Sequence, residues 1–370
     1  MSDVHLGHRH NKTKTIIEHL DIFFHTYKDR LSNIQIFFIA GDLFDTLLDL
    51  SSNDIHEIMI WMSRLMRFCA SRQIKLRILE GTPSHDWGQS SMFKTVDSIA
   101  EYAQLDYKYI PALSIETIEE YGMNILYVPD EWNSDTEETF SQVKLLMKEK
   151  NLTEVDIAIM HGQFTYQLPS SAIKAPKHKE SNYLSIVRHY INIGHVHQFS
   201  TYERILAQGS FDRLCHADEE PKGALIMSIR PDRVDEYEFL PNKAATIFKT
   251  IRLTKKHFNE LFQYLDAQIE KYPNRSFIRL RSTEKDLLNS NFDSIQKRYT
   301  QYTISKDIES VQNTEKSLFK TEIDMATYSP IVIRQENIAE LLMQNIIAKH
   351  SVSNETQMLC RSIIEETIRG

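Results

Sequence analysis

The chain has 370 residues, 41% of them apolar and 25% charged, the makeup of an ordinary globular protein, which excludes the disordered and fibrous classes. Its 43 basic and 51 acidic side chains give a net charge of −8, which argues against a protein that clings to a polyanion by bulk charge. That length allows about two domains, or one large domain with appendages.

No basic patch followed by an apolar signal core opens the chain, and no apolar stretch reaches the ~18 residues of a membrane span. The expectation is a cytoplasmic protein without a membrane partner. Cys69, Cys215 and Cys360 are odd in number and far apart, so neither a disulfide framework nor a thiolate zinc site is indicated. They read as three core thiols.

Over the first 230 residues short apolar runs alternate with longer amphipathic segments, the pattern of a layered α/β domain. Strands are expected at 34–40, 74–80, 155–160, 189–193 and 224–229. The segment 55–68, with Trp61, reads as a core-facing helix, although its Ile, Met and Leu content would also suit a dimer contact. Ser134 with Glu137 three residues on has the form of a capping box, followed by a helix face of Phe140, Val143 and Leu146.

The character changes at Pro241 and Asn242. Residues 1–245 carry 25 basic and 35 acidic side chains, whereas 246–370 carry 18 and 16. Strands at 247–253, 277–281 and 302–306, with helices at 257–271 and 285–298, make a small α/β domain over 246–325. From 330 to 370, Ile338, Leu341, Leu342 and Ile346 form one apolar stripe, and Asn354 with Gln357 opens a further helix carrying Met358, Leu359 and Ile363.

Chemistry is concentrated in the first part, where 13 of the 15 histidines lie at or before His216. Asp3 and His5 fall in SDVHLG. Gly41-Asp42 ends the first apolar run, Ser84-His85-Asp86 follows the second in GTPSHD, His161-Gly162 ends the third, and Gly194-His195-Val196-His197 ends the fourth. Ligands of open α/β sheets bind beyond the carboxyl ends of strands, so these loops should converge. Any one of them has a plainer reading, as a turn, a cap or a hydrogen-bonded histidine; all five in this order do not. Carboxylate oxygens with imidazole nitrogens and no thiolate suit manganese, iron, zinc or magnesium.

The ordered set DxH, GD, a GNH[DE]-like element, HG and GHxH resembles the calcineurin-like metallophosphoesterase superfamily over about residues 2–200. Gly209-Ser210-Phe211-Asp212-Arg213, then Glu219, Glu220 and Lys222-Gly223, are similar to the SbcD group, nuclease subunits of SbcCD-type DNA repair complexes, phage recombination nucleases included. The resemblance implies a layered sandwich of two mixed sheets flanked by helices (1–245), a small α/β cap that contacts DNA, and a helical segment that docks on a coiled-coil ATPase of the SbcC type. It implies two divalent ions, Mn²⁺ foremost with Mg²⁺, Fe²⁺ or Zn²⁺ as alternatives, with Asp3, His5 and His197 on the first, His161 and His195 on the second, and Asp42 bridging. His85 would face the phosphate and protonate the leaving oxygen, with Asp86 orienting its ring; Arg213 belongs to the SbcD-like segment. Relatives cleave double strands as exonucleases in the 3′–5′ direction, cleave single strands as endonucleases, and form homodimers.

Two departures stand out. Family members carry Asn, a second-metal ligand, before the catalytic histidine; here Ser84 stands there, a weaker ligand, with Thr82 nearby. The motif also starts almost at Met1, where relatives have a central strand. Either the start is assigned late, the preferred reading, or a core strand is lacking, which would leave Asp3 and His5 on a loose terminus. A phosphatase or cyclic-nucleotide phosphodiesterase, and a weakened subunit that acts by partner binding, are the alternatives to a nuclease.

Overall fold

Side chains alternate across a strand, so a strand that is apolar on both faces must be covered on both. In β1 (Ile36–Ala40) Phe37 and Ile39 join one buried cluster while Ile36, Phe38 and Ala40 join another. In β6 (Ile157–Gly162) Ala158 and Met160 face one cluster and Ile157 and Ile159 the other. The cluster common to both strands lies between two sheets, and helices close the outer faces.

The computed structural model describes residues 1–309, except 101–104, 131–134, 170–171, 173–174 and 231–234. All of them fall in the first of two compact units, Met1–Ser317. The expected helices beyond Pro330, and Cys360, lie outside the described residues.

The first sheet is parallel and has the order β1, β2 (Lys75–Leu79), β3 (Tyr107–Ile110). Its outer face packs on α1 (Thr13–Thr26), α3 (Asn53–Ala70) and α5 (Met92–Ala100), through Ile16, Leu20, Ile58, Trp61, Leu65 and Phe93. Short helices α2 (Lys28–Leu31) and α4 (Pro83–Asp86) follow α1 and β2. The second sheet runs β4 (Ser114–Ile118), β5 (Met123–Val128), β6, β7 (Ile191–His195), β9 (Ile205–Ala207), β8 (Ser200–Tyr202). It is parallel from β5 to β9, with antiparallel edges at β4 and β8. α6 (Thr136–Glu149) and α7 (Glu180–Leu184) cover its outer face with Phe140, Val143, Met147 and Tyr183. The architecture is mixed α/β, several sheets flanked by helices.

A hairpin of β10 (Gly223–Ser228) and β11 (Glu236–Pro241) follows. β12 (Phe248–Leu253), β13 (Phe277–Ser282) and β14 (Thr303–Ile308) then make a separate parallel sheet. α8 (Leu261–Ile269) and α9 (Lys285–Arg298) pack on it around Ile251, Leu265, Ile278, Leu280, Leu288 and Ile295.

Several expectations need correcting. Helix α6 is capped by Asp135, whose carboxylate accepts the N–H groups of Glu137 and Glu138, one residue later than the Ser134 box. Cys69 is buried, but Cys215 is exposed and is no core thiol. Strands β3, β4, β5, β8 and β9 were not expected: four of them are three to five residues long, while β5 has six residues and lies inside the second sheet. In β4 the charge of Glu116 disguises the strand. The Glu116 carboxylate is paired with buried Arg77 at 2.8 Å, so the sheet holds a polar residue that the hydrophobic pattern does not reveal.

The opening residues are firmly held. The Met1 amino group donates to Phe38 O at 2.8 Å and Ala40 N to Met1 O at 2.8 Å. Val4 and Leu6 donate to Asp42 O and Leu43 O, each at 2.9 Å, and both side chains are buried. Asp3 and His5 therefore do not sit on a loose terminus.

Candidate metal centre

Five segments meet where the two sheets present their carboxyl ends, and they bring three overlapping groups of donors together: Asp3, His5 and His197; His5, Asp42 and His85; Asp42, His161 and His195. Within each group the donor atoms lie within 4.8 Å of one another, close enough to hold a metal ion. His161 and His195 are carried by the last turns of rigid strands, each one or two residues later than the strand ends read from the sequence. Asp42 follows β1 directly.

Hydrogen bonds fix which ring nitrogen His161, His5 and His85 offer. His161 Nδ1 lies 2.8 Å from Ala40 O, which can only accept, so this nitrogen carries a proton. Its Nε2 lies 3.1 Å from Asp42 Oδ1. A neutral imidazole would aim a lone pair at a carboxylate oxygen there, which is repulsive. Positive charge resolves it, either as a second proton or as a metal ion between the two. His5 repeats the arrangement: Nδ1 is 3.0 Å from Asp45 Oδ1, and Nε2 faces His197 Nε2 at 3.1 Å and Asp42 Oδ2 at 3.8 Å. His85 gives Nδ1 to Asp45 O at 2.8 Å, which leaves Nε2 as the free ring nitrogen. A ring nitrogen tied to an oxygen behind it is the usual support of a metal-bound histidine.

Electrostatics agree. Burial opposes charge on His161, but the Asp42 carboxylate outweighs it and pushes the imidazole up to about 10. Burial likewise opposes charge on Asp42, yet His161, then His5 and His85, hold it well below the usual carboxylate range. Burial lowers His195 and takes His197 down to about 4, so both present neutral rings. The pocket favours a carboxylate beside positive charge, with neutral nitrogens around it, which fits a divalent cation.

Backbone geometry singles out the same residues. Of the nine non-glycine residues with positive φ among those described, four are Asp3 (51°), His5 (55°), Asp42 (49°) and His195 (98°). Such conformations cost energy and gather at functional sites. Gly41 has φ +84°, and a Cβ there would stand 2.2 Å from His161 Nδ1; only glycine lets this ring approach the end of β1.

The remaining expected residues take other places. Ser84 lies in the first turn of α4, and among the described residues no hydrogen bond joins its hydroxyl to the cluster. Thr82 stands in the centre instead: Oγ1 is 3.3 Å from Asp42 Oδ2, 3.4 Å from His161 Nε2 and 3.3 Å from His195 Nδ1. The physical reason is that Thr82 keeps the place next to Gly81 at the end of β2, while Pro83 and Ser84 are absorbed as the opening turn of α4, with Pro83 at the helix start. Asp86 does not orient His85. It is wholly buried and accepts the N–H groups of Gly81 (2.7 Å), Asp42 (3.1 Å) and Phe44 (2.9 Å), tying the loops after β1 and β2 together. Burial, with the Asp42 and Glu80 charges, pushes it up to about 7. Arg213 turns away from the donors, and its guanidinium reaches Ala245 O and Thr246 O at the start of the small sheet.

Two participants escaped the sequence reading. Asp45 orients both His5 and His85; its place three residues after Asp42 in GDLFD was the available signal. Asp130, two residues past β5, has a carboxylate oxygen 3.5 Å from Thr82 Oγ1. Buried Lys222 gives its ammonium to His197 O at 2.7 Å and to Glu220, which steadies the loop that carries His197.

No protein-family model and no curated protein matches this chain.

Proposed function

We propose that the chain is a metal-dependent phosphodiester hydrolase of the calcineurin-like metallophosphoesterase type, a cytoplasmic DNA nuclease of the SbcD kind that works with a coiled-coil ATPase. The observation that carries this reading is the convergence of seven Asp and His side chains in three overlapping donor groups, with His161 Nε2 3.1 Å from Asp42 Oδ1 at their centre. Asp3, His5 and His197 would hold one ion, His161 and His195 the other with the Thr82 hydroxyl beside it, and Asp42 both. When bound, two such ions, Mn²⁺ foremost, lower the pKa of water to near neutrality and offset charge on phosphate.

The chain's own residues do the rest. Asp86 keeps Asp42 and Gly81 in register through its three N–H bonds. Asp45 fixes His85 from behind, so that Nε2 stays free to meet the phosphodiester and, when protonated, to give its proton to the leaving oxygen. Arg213 ties the SbcD-like segment to the small sheet, which we assign to the DNA cap, and the segment 330–370 is assigned to the ATPase. A homodimer belongs to this reading as well.

The test is a substrate panel with Mn²⁺: linear duplex, single strand, a cyclic nucleotide and an aryl phosphomonoester, together with a count of bound metal. Close to two ions per chain and turnover of DNA well above the small esters are expected. Preference for the monoester or the cyclic nucleotide would move the site to the phosphatase or phosphodiesterase reading; bound metal far below one per chain would overturn it.

A further inference from the structure

Trp87 sits where neither conformation nor burial rewards a tryptophan. Its backbone has φ +51°, a region that bulky side chains rarely adopt, and its side chain belongs to a residue 55% exposed. Glycine would suit the backbone better, and a polar side chain would suit the solvent better. What the position offers is a place beside the chemistry, two residues after His85 on the same short turn. The indole N–H donates to Ser84 O at 2.8 Å, so the ring is held by the turn that carries His85 while much of it remains open.

The surroundings extend this surface. Leu47 is 59% exposed and Leu50 79% exposed, both in the loop after β1. That loop is bound to the Trp87 segment: Leu48 N donates to Gln89 Oε1 at 2.8 Å, and Gln89 Nε2 to Thr46 O at 3.0 Å. Exposed apolar side chains, an aromatic ring among them, are thus carried by the same two segments, after β1 and β2, that carry Asp42 and His85 of the polar donor cluster. A ligand that spans both needs an anionic ester and, next to it, a flat apolar group, which is the chemistry of a nucleotide: phosphate on one side, base on the other.

We propose that Trp87 is a base-stacking platform, which receives the nucleobase adjoining the phosphodiester presented to His85. The inference rests on the hydrolase reading and narrows its substrate to strands whose bases are free to leave the helical stack, single strands and frayed duplex ends. A stacked base contributes on the order of tenfold or more in binding and is tolerant of sequence, so the site should show little preference among the four bases.

The experiment compares kcat/KM, with Mn²⁺, on a single-stranded oligonucleotide and on one of the same length built of abasic units, for the full chain and for Trp87→Phe, Trp87→Leu and Trp87→Ala. The wild type should favour the base-bearing strand by roughly tenfold. Phe should keep most of that ratio, and Leu and Ala should bring it close to one, mainly through KM. Leu equal to Trp would overturn the inference, because apolar bulk rather than a ring face would then suffice. A ratio unchanged in all variants would overturn it too, and leave the hydrolase reading standing. A shift of oligomeric state in Trp87→Ala by light scattering would overturn it in favour of a subunit contact. A wild type inert on both strands would bring down the hydrolase reading itself, and the inference with it.

Discussion

At Thr82 a hydroxyl lies within 3.5 Å of Asp42, Asp130, His161 and His195, and on the proposed metallophosphoesterase reading it stands where an amide would be expected. An alcohol oxygen is a weaker donor than an amide carbonyl, and the Thr82 N–H is already spent on Asp42 Oδ1 at 2.6 Å. The chain therefore holds Asp42 twice through one residue. Thr82→Val keeps shape and removes the hydroxyl; it should weaken metal binding at Asp42, His161 and His195 about tenfold or more, in the manner of lost supporting contacts around a metal. Ser84→Ala should shift the same affinity less than twofold. Isothermal titration with Mn²⁺ separates them, and a larger loss in the Ser84 variant would reverse the assignment. The sequence brought Asp42, His85, His161, His195 and His197 together because each follows a recognisable apolar run, and Asp3 and His5 joined them only through the resemblance of SDVHLG to a DxH motif. It misplaced the polar residue in GTPSHD, because an inserted Pro-Ser pair can be absorbed on either side of Thr82, and only the start of α4 decides which.

Among the elements, the segment after β6 is held by His178. Its ring sits against Phe164 and Tyr183, and Nδ1 lies 3.2 Å from the Tyr183 hydroxyl. Burial lowers the imidazole to about 4, while the Asp130 and Glu137 charges only partly oppose it. In the unfolded chain the same ring takes a proton near pH 6.5, so the unfolded state gains as pH falls from 6.5 towards 4 and the stability lost is on the order of 3 kcal/mol. Urea unfolding in EDTA between pH 7.5 and 4.5 should show that loss in the wild type and a shallower slope in His178→Gln; equal slopes would contradict the assignment. The long elements were legible by period: β12, β13, β14 and α9 lie within two residues of expectation, because each alternates or repeats cleanly around one apolar cluster. The shortest strands were not, since three residues carry too little pattern; the pairing of Glu116 with Arg77 is a long-range event, and β5, six residues inside the sheet, was missed as well.

For the whole molecule, the net charge of −8 first spoke against a nucleic-acid enzyme. Part of that acidity is Asp3, Asp42 and Asp45, buried or half-buried in the donor cluster, where two dications would offset up to four charges. On the proposed reading bulk charge is therefore no objection; what the histidines at or before His216 do mark is the donor cluster itself, five of whose seven members are histidines. Helices on the outside and two sheets facing one another bring the carboxyl ends of β1, β2, β6 and β7 together, and the donor side chains that follow them meet there.

On the proposed reading this cluster hydrolyses nucleic-acid phosphodiesters with bound metal and with His85 as the residue that meets the phosphate. Its most direct test is hydrolysis of linear DNA by the wild type and by His85→Ala, each with Mn²⁺ and with its bound metal counted. Cleavage by the wild type that EDTA abolishes, with a loss of about a hundredfold or more in a variant that still binds its metal, is the predicted result. A wild type that loads metal and leaves DNA intact, or a variant that cuts as well as the wild type, would contradict it.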